Sequence, residues 1–502
     1  MNTEQRILII GAGLSGLSMA RWCLREGAQA VTLVDTREAA IDAAQIDLPQ
    51  ARARCSALDQ ALMDDVQPQA VYLSPGLSPE QLRTVSTWCE AHQVPLSNEL
   101  DLFMQGLEGH RPESAEAPRV LAITGTNGKT TVTALTTFLL NSVGVCAVAA
   151  GNIAPAMLDA LGSQLDQQCW PQSWVLELSS FQLHSTCEFE PTIGTLLNIS
   201  DDHLDWHPTK AHYVEAKSKV WGNTAARLLN RGDAAVMAFK PADPPAKNKR
   251  RKDTDAMPPM WCSFGLDLPT RAGDWGVESV NGMAWLVRAR GIDTGTVDPY
   301  SDEDLYIQRL MPAEALRIRG QHNWMNALAA LALAHGVSQD SAGMLHALRE
   351  YAGEPHRVQP IGVIDGVEYF DDSKGTNVGA TLAALNGLGT DRRLVVILGG
   401  QGKGQDFSPL RQPLARFTRG VVLIGQDAEA IAQALEGVAL NIIRADSLAT
   451  AVREAALLAQ SGDAVLLSPA CASLDMFRNY SERGQAFARQ VLAMAEEAGG
   501  PL

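Results

Sequence analysis

The sequence lacks the features that would tie it to a membrane or to nucleic acid. No run of 18 apolar residues occurs among its 502 residues, so no membrane-spanning helix is expected. Acidic residues outnumber basic ones, and the formal net charge is −16 at pH 7. An acidic protein is repelled by nucleic acid and anionic lipid, so neither is expected as the main partner. A local phosphate site stays compatible with this charge, because a few lysines and backbone N–H groups suffice to build one.

The sequence also lacks closely spaced cysteine pairs and, near its start, the continuous apolar block typical of a signal peptide. Eight cysteines are scattered along the chain, and none forms a C-x-x-C pair. This spacing predicts reduced, mostly buried thiols in a cytosolic protein and disfavours a zinc site. Gly, Ser and Arg interrupt the first apolar stretch, and Asp35 follows it, so no signal peptide is expected. We therefore expect a cytoplasmic protein.

What the sequence has is a regular alternation of short apolar runs with longer alanine-rich stretches. The apolar runs include RILII, AVTLVD, VLAITG, WVLELS, LVVILGG and AVLLSPA, and most end near Gly, Pro or Asn. This alternation is typical of α/β folds with parallel sheets. A single core stops growing at roughly 250–300 residues, so a chain of this length needs several domains.

Two polar stretches mark candidate domain boundaries. Residues 108–119, EGHRPESAEAPR, read as a linker before a new strand, and a second boundary lies near 351–360. The predicted domains are residues 1–117, 118–353 and 354–502.

Two further stretches have no periodicity and are predicted to be surface insertions. Residues 240–260 are rich in Pro, Lys and Asp, and their basic run is more simply explained as a solvated loop than as a binding patch. Residues 291–307 form the second predicted insertion.

The strongest motif is a phosphate-binding loop at residues 121–140, LAITGTNGKTTVTALTTFLL. An apolar strand runs into G-T-N-G-K-T-T, residues 125–131, and a helix follows. Glycines let backbone N–H groups converge on phosphate oxygens, Lys129 adds a positive charge, and the hydroxyl of Thr130 can bind Mg²⁺. The common phosphate loop has a glycine two residues earlier, where this chain has Ile123, so the loop here is shorter.

This shortened loop resembles that of the ATP-dependent Mur ligases and folylpolyglutamate synthetases, which are three-domain enzymes that form amide bonds. The resemblance runs from residue 7 to about residue 487, apart from the two insertions, and within the group the chain looks like the branch that adds D-glutamate. It implies an N-terminal Rossmann-like domain that binds a UDP substrate, a central P-loop ATPase-like domain that binds ATP, and a C-terminal Rossmann-like domain that binds the amino acid.

The same resemblance implies an activity. The chain would join D-glutamate to UDP-N-acetylmuramoyl-L-alanine through an acyl phosphate, releasing ADP and phosphate, in cytoplasmic peptidoglycan precursor synthesis. It would use ATP and two Mg²⁺ ions, act as a monomer, and need neither NAD nor flavin.

The implied catalytic residues are Lys129, His203 and Lys217. Glu177 ends an apolar strand, where a carboxylate is costly unless it is paired or bound to metal. The resemblance implies that Thr130 and Glu177 hold one Mg²⁺, and that His203 and a carbamylated Lys217 hold the second. Carbamylation needs a lysine of lowered pKa, since only the neutral amine reacts with CO₂. From the residues alone, a hydrogen-bonded Glu177 and a surface Lys217 are the alternative interpretations.

The resemblance also implies two groups of contact residues for ATP and for the amino acid. For Asn326, as for Asn323, helix capping is the alternative, and for Ser473 and Tyr480 it is ordinary packing. Other family members have Phe at the position of Tyr480. The implied ATP contacts are Gly125, Thr126, Asn127, Gly128, Lys129, Thr130, Thr131, Asn326, Arg357 and Asp372. The implied contacts near the amino acid are Lys374, Thr376, Lys403, Ser473, Leu474 and Tyr480.

A second glycine motif lies at the start of the chain, in LIIGAGLSGLSMA. Gly11, Gly13 and Gly16 form a G-x-G-x-x-G after a strand, and Asp35 ends the next strand. This arrangement is typical of a dinucleotide-binding turn. The resemblance instead assigns the turn to the diphosphate of a UDP substrate. The implied contacts with that substrate are Leu14, Ser15, Asp35, Thr36, Arg37, Ser74, Pro75, Gly76, Gly151 and Asn152.

Three other functions compete with this interpretation. A folylpolyglutamate synthetase shares the short loop but lacks an N-terminal glycine-turn domain. A nicotinamide or flavin oxidoreductase would explain residues 8–35 but leaves the last third of the chain unexplained. A nucleotide-sensing regulatory protein would bind ATP without forming an amide. Release of ADP that depends on D-glutamate and a UDP-muramoyl substrate distinguishes them.

Overall fold

In a computed structural model, the protein has three α/β units, each built on one sheet. None of the helices in the described part of the chain is long and apolar enough to cross a membrane. The described residues are 5–187, 189–203, 206–223, 225–241, 260–291, 305–390 and 392–497.

The N-terminal unit is a five-stranded parallel sheet with helices on both faces. Its strands are β1 (Arg6–Ile10), β2 (Ala30–Asp35), β3 (Arg52–Cys55), β4 (Ala70–Leu73) and β5 (Leu96–Asn98). Its helices are α1 (Leu14–Arg25), α2 (Glu38–Asp47), α3 (Gln60–Val66), α4 (Arg83–His92) and α5 (Glu99–Gly109). The strand order is β3-β2-β1-β4-β5. Gly16 has no room for a side chain, because a Cβ there would lie 1.7 Å from the carbonyl oxygen of Gly11.

The middle unit has a nine-stranded sheet. Its strands are β6 (Arg119–Thr124), β7 (Ala147–Gly151), β8 (Ser173–Glu177), β9 (Ile193–Leu196), β10 (Ala226–Asn230), β11 (Trp261–Phe264), β12 (Trp275–Val280), β13 (Met283–Gly291) and β14 (Leu305–Pro312). Its helices are α6 (Lys129–Ser142), α7 (Met157–Asp166), α8 (Ser180–His184), α9 (Lys210–Ser218), α10 (Ala234–Met237), α11 (Gln321–His335) and α12 (Ser341–Glu350). The strand order is β14-β13-β12-β11-β10-β9-β6-β8-β7, with only β13 antiparallel to its neighbours.

The C-terminal unit has a six-stranded sheet. Its strands are β15 (Gln359–Ile364), β16 (Val367–Asp371), β17 (Leu394–Gly399), β18 (Thr418–Ile424), β19 (Asn441–Arg444) and β20 (Ala464–Leu467). Its helices are α13 (Val378–Leu388), α14 (Arg411–Phe417), α15 (Ala428–Ala434), α16 (Leu448–Leu458) and α17 (Tyr480–Glu497). The order is β15-β16-β20-β17-β18-β19, and only β15 is antiparallel.

The topology places the candidate functional segments at the carboxyl edges of the sheets. The phosphate loop follows β6, Glu177 ends β8, and the segment with His203 follows β9, so all three lie at the same edge of the middle sheet. In open α/β sheets, this edge is where ligands bind.

A continuous apolar core joins the N-terminal and middle units. The rings of Phe103, on α5, and Trp174, on β8, pack edge to face with centroids 5.0 Å apart. Asn98 reinforces this contact with a capping box at the start of α5, where its Oδ1 accepts from the backbone N–H of Leu100 at 2.9 Å. Its Nδ2 also donates across the interface to the carbonyl of Gln182 at 2.9 Å and to Thr186 Oγ1 at 3.0 Å. The two units therefore share both apolar and polar contacts.

The α/β class with three units is confirmed, and each sheet lies within one of the three predicted domains. The predicted insertion at residues 291–307 included strand residues at both of its ends, so its predicted bounds were wrong. Gly291 ends β13, and residues 305–307 begin β14, a strand whose polar, partly exposed residues hide its periodicity. Residues 242–259 and 292–304, the bulk of the two predicted insertions, lie outside the described residues.

The prediction of mostly buried cysteines was wrong, although all eight are free thiols. Three are buried, Cys23, Cys89 and Cys471, and two are exposed, Cys55 and Cys187. The other three are partly exposed because they lie at the ends of strands or in connections.

The dual role of Asn98 gives a test of the interface. Asn98→Ala should lower stability by ~1–3 kcal/mol, because it removes a helix cap and also leaves buried partners across the interface unpaired. The matched control is Ser447→Ala, since Ser447 caps α16 at the surface through the backbone N–H of Thr450 and makes no interface contact. Thermal melting should show a larger drop for Asn98→Ala. Equal drops for the two variants would contradict the interface role.

Candidate functional site

The phosphate loop is held in place by the segment that follows β9. The backbone N–H groups of Thr126 and Asn127 donate to the carbonyl and the Oδ1 of Asn198, at 3.0 and 2.9 Å. Gly125 and Gly128 have φ of 158° and 84°, which favour glycine. The first N–H groups of α6 have no partners within the helix, so a rigid loop presents them to an anion.

Two lysine side chains converge on one backbone carbonyl of this loop. Lys129 Nζ and Lys217 Nζ each donate to the carbonyl oxygen of Gly125 at 2.9 Å. Lys217, on α9, is only 2% exposed, so it is not the surface lysine that its residue type suggests. Burial lowers the pKa of both amines, and for Lys217 the nearby charge of Lys129 lowers the pKa further, to well below its ordinary value. The site therefore holds an excess of positive charge that an anion would stabilise.

Glu177 lies at the end of β8 with one carboxylate oxygen bonded and one free. The side chain is 2% exposed, and its Oε1 accepts from Nδ2 of Asn152 at 3.0 Å. Its Oε2 is buried and has no hydrogen-bond partner among the described residues. A buried, unpaired carboxylate oxygen is costly, so its position favours a cation ligand.

The neighbours of Glu177 also explain Gly151 and Asn152. A Cβ on Gly151 would lie 2.2 Å from the carbonyl oxygen of Glu177, so only glycine fits there. The backbone N–H of Asn152 donates to that same carbonyl at 2.7 Å. The resemblance assigns both residues to the UDP substrate, whereas their contacts in this structure orient Glu177.

His203 follows β9 in a left-handed backbone conformation, with φ of 54°. Its ring packs against Phe181 with centroids 4.8 Å apart, and about 40% of the side chain is exposed. Burial lowers its pKa, Asp202 opposes this shift, and the charges of nearby lysines, including Lys403 of the C-terminal unit, lower the pKa further. The lowered pKa favours the neutral imidazole, which is the form that binds metal ions.

Within the described residues, no three His, Cys, Asp or Glu side chains stand close enough together to hold a metal ion alone. Glu177 and Thr130 still fit Mg²⁺, because this ion is commonly bound by one or two carboxylates together with substrate phosphates.

A cleft between the middle and C-terminal units collects most of the implied nucleotide contacts. Asn326 Nδ2 donates to Asn323 Oδ1 at 3.0 Å, and Asn323 Nδ2 donates to the carbonyl of Arg319 at 2.8 Å. Neither asparagine is the N-cap of α11, which is Gly320, so the capping interpretation was wrong. The residues from the candidate site that line the cleft are Asn127, Gly128, Thr131, Asn326, Arg357, Asp372 and Lys374.

The C-terminal side of the cleft carries a buried acid and two cations. Burial raises the pKa of Asp372 to about 7, although its carboxylate accepts a hydrogen bond from Ser468 Oγ at 2.7 Å. Burial and the charge of Arg357 lower the pKa of Lys374 to about 8. Lys374 Nζ lies 3.8 Å from the ring centroid of Tyr480. Lys374 thus lines this cleft and also lies beside a residue implied in amino-acid binding.

The other residues implied in amino-acid binding lie on loops at the carboxyl edge of the C-terminal sheet. Gln401 and Ala472 exchange two backbone hydrogen bonds at 2.9 Å, which join the loop of Lys403 to that of Ser473. Ser473 is buried, whereas Leu474 is 62% exposed. Thr376 follows β16 at this edge and is partly exposed.

In the N-terminal glycine turn, Asp35 serves the fold. Its Oδ2 accepts from the backbone N–H of Ala12 at 2.9 Å, and its carboxylate pairs with Arg37, which holds the pKa of Asp35 well below its usual range. Leu14 and Ser15 are the first two residues of α1, so their N–H groups point out of the turn. Thr36 and Arg37 are exposed next to it.

Ser74, Pro75 and Gly76 follow β4 and line a second cleft, between the N-terminal and middle units. The indole Nε1 of Trp206 donates across this cleft to the carbonyl of Gly76 at 3.2 Å.

Sequence reasoning missed one contact between units at the centre of the site. Asn377 Nδ2, at the start of α13, donates to Asp202 Oδ2 at 3.3 Å and to Asn127 Oδ1 at 3.4 Å. Asp202 directly precedes His203, and Asn377 directly follows Thr376, so their positions beside candidate residues were the available signal.

Comparisons with known proteins identify the family. Three family models match consecutive parts of the chain: the Mur ligase MurD-like N-terminal domain at residues 5–90, the Mur ligase middle domain at 123–250, and the Mur ligase glutamate ligase domain at 356–471. A UDP-N-acetylmuramoylalanine–D-glutamate ligase of Albidiferax ferrireducens is 50% identical over 499 residues, covering 99% of this chain and 97% of that relative. The chain belongs to the Mur ligase family.

Other Mur ligases match over similar lengths. The enzymes of the same name from Burkholderia thailandensis and a Polaromonas species are 48% and 44% identical, and each alignment covers 99% of this chain and at least 98% of the relative. Among solved structures, the UDP-N-acetylmuramate–alanine ligase of Thermotoga maritima aligns with a TM-score of 0.56 at 17% identity, over 98% of this chain and all of that one. At this identity, the likeness concerns the fold alone.

The contact between Asn326 and the loop of this Mur ligase can be tested. A Cβ on Gly128 would lie 2.6 Å from Asn326 Oδ1, so Gly128→Ala must displace either the loop or the asparagine. We expect ATP binding, measured by calorimetry, to weaken at least about tenfold, or ~1.4 kcal/mol. Gly144→Ala is the control, because Gly144 has a similar φ of 80° but open space around it. Unchanged affinity in Gly128→Ala would contradict the assignment.

Proposed function

We propose that this Mur ligase joins D-glutamate to UDP-N-acetylmuramoyl-L-alanine, with ATP, and releases ADP and phosphate in peptidoglycan precursor synthesis. The observation that carries the proposal is the phosphate loop with its two lysines and the unpaired oxygen of Glu177, facing the cleft of the C-terminal unit. Identities of 44–50% to relatives named for this reaction support the choice of substrates.

In the proposed mechanism, the loop holds the phosphates of ATP. The N–H groups at the start of α6 and the ammonium of Lys129 would bind the phosphate oxygens, the rest of residues 125–131 would shape the loop around them, and Asn326, Arg357 and Asp372 would contact the rest of the nucleotide. The ammonium of Lys129 would exchange its hydrogen bonds to loop carbonyls for bonds to the phosphoryl group that is transferred. There the positive charge of Lys129 would offset the negative charge that develops. The alanyl carboxylate of the UDP substrate attacks the γ-phosphorus and forms an acyl phosphate.

Two Mg²⁺ ions would bind at this edge of the sheet. Thr130 and Glu177 would hold the first, and His203 together with a carbamylated Lys217 would hold the second. When bound, the ions would offset charge on the phosphate oxygens. His203 would also orient the acyl phosphate.

The carbamate on Lys217 has physical support. Its amine is buried, its pKa is lowered well below the ordinary value, and it shares the Gly125 carbonyl with a second lysine. The lowered pKa favours the neutral form of the amine, which is the form that reacts with CO₂, and the carbamate product carries a negative charge. The carbamate would attract the ammonium of Lys129 and supply oxygen ligands for the metal.

The two other substrates would bind at the remaining sheet edges. Leu14 and Ser15 would donate backbone N–H groups to the UDP diphosphate, next to residues 35–37 and 74–76. The amine of D-glutamate would attack the acyl phosphate from the C-terminal domain, where Lys403 and Ser473 would hold its carboxylates. The domains would be residues 1–117, 118–353 and 354–502, in a monomer that works in the cytoplasm. Their closure would keep water from the acyl phosphate.

A coupled assay tests the reaction. ADP release should require both D-glutamate and UDP-N-acetylmuramoyl-L-alanine, and mass spectrometry should detect one new amide. A screen of other amino acids tests the choice of D-glutamate. Amide formation with a folate substrate, a bound flavin in the visible spectrum, or nucleotide binding without any amide would each contradict the proposal.

The carbamate gives a separate prediction. Lys217→Ala should lose most activity, and millimolar acetate should partly restore it, because a short carboxylate can enter the space left by the side chain and supply the missing oxygen ligand. Lys219→Ala is the matched control, since Lys219 is exposed and bonds to the carbonyl of His184 away from the loop. Its activity should stay near normal and show no response to acetate. Full activity of Lys217→Ala would remove the carbamate from the mechanism.

A further inference from the structure

The C-terminal unit contains an array of three side chains that the ligase mechanism does not use. His356 Nδ1 lies 2.6 Å from Asp371 Oδ2, and His356 Nε2 lies 3.0 Å from Ser481 Oγ. The three residues come from distant parts of the chain: the connection before β15, the end of β16, and the start of α17. The distances match those of a nucleophile, its base and the acid that orients the base.

The hydrogen bonds assign the protons of this array. The carboxylate of Asp371 is buried, accepts from the backbone N–H of Ser373 at 2.8 Å, and can only accept from His356. In the neutral form of the imidazole, this bond places the proton on Nδ1. Nε2 then carries the lone pair and accepts the hydroxyl proton of Ser481.

The packing around the imidazole preserves this alignment. A Cβ on Gly484, one helical turn after Ser481, would lie 2.2 Å from His356 Nδ1 and 2.6 Å from Asp371 Oδ2. Only glycine at this position lets the histidine and the aspartate meet beneath the helix. His356 itself has a φ of 63°, which side chains rarely adopt, so the local structure holds the imidazole in place at some cost.

The array runs from the interior to the surface. The side chain of Asp371 is 1% exposed and that of His356 is 12% exposed, whereas Ser481 is partly exposed. Ser481 is the second residue of α17, so its own backbone N–H lacks a partner within the helix, whereas the N–H of Glu482 donates to Asn479 Oδ1 at 2.9 Å. Reagents in solution can therefore reach the serine, while its base and the orienting acid stay protected from water.

We propose that Ser481 is an activated nucleophile that accepts acyl groups from activated carboxylic esters. The Oγ of Ser481 forms a bond to the acyl carbon, and its proton passes to His356 Nε2. The bond between the acyl carbon and the leaving oxygen breaks, and the leaving group departs with its electron pair and takes the proton from His356. The product is an acyl ester on Ser481 and a free alcohol or phenol.

Two probes test the nucleophile on the full chain. With p-nitrophenyl acetate, p-nitrophenol should be released and an acetyl group should appear on the peptide that contains Ser481. With a fluorophosphonate, the Oγ–P bond forms as fluoride leaves, and the same peptide should be labelled. Ser481→Ala should abolish both modifications while its melting temperature and ADP release stay normal, because Ser481 has no part in the ligase site.

Variants of the other two residues separate activation from simple exposure. Asp371→Asn and His356→Gln should slow labelling of Ser481 by about 100-fold or more, since they remove the correct tautomer or the base. The control variant is Ser142→Ala, which should leave the labelling rate of Ser481 unchanged. Ser142 is an exposed serine whose hydroxyl donates to the carbonyl of Phe138 and has no histidine beside it. Labelling at other serines, or equal rates in wild type and His356→Gln, would overturn the proposal. Either result would leave the ligase assignment untouched.

Discussion

The carbonyl oxygen of Gly125 accepts hydrogen bonds from two lysine side chains, and the rest of the site depends on this contact. Lys129 and Lys217 each donate to it at 2.9 Å. Where both amines are charged they repel each other, and burial removes the water that would screen them. Nearby anions offset this repulsion, and Glu177 contributes one of them. The fold of this loop therefore creates a place where an anion such as a phosphate would be stabilised.

The same excess of positive charge links the middle and C-terminal units. Lys403 belongs to the C-terminal unit, yet its charge affects the pKa of His203 in the middle unit. Asn377 bonds to Asp202 and to Asn127, so the amide side chain at the start of α13 reaches into the phosphate loop. A negative ligand bound at the loop would attract cations from both units, and this attraction favours closure of the cleft around it.

The sequence predicts those parts of the site that follow from local rules. The phosphate loop was predictable because a strand, glycines, Lys129 and a helix occur in immediate succession. Glu177 was predictable as a site residue because its carboxylate ends an apolar strand. Burial of Lys217 was not, because α9 has the composition of a surface helix, and the side chain is buried only by packing against β6 and the loop. The pairing of Asp202 with Asn377 joins residues 175 positions apart, and no local pattern indicates such a contact.

The N-terminal glycine turn shows why a correctly identified G-x-G-x-x-G motif does not by itself indicate a nicotinamide enzyme. In a nicotinamide enzyme, the acid at the end of the second strand binds a ribose. Here both oxygens of Asp35 already accept hydrogen bonds from Ala12 and Arg37. The acid therefore stabilises the turn, while the N–H groups at the start of α1 remain directed outward. A turn of this kind recognises a diphosphate but does not select the ribose behind it. For the proposed UDP substrate, the selection would then come from residues beyond the motif, such as those that follow β4 and line the cleft with Trp206.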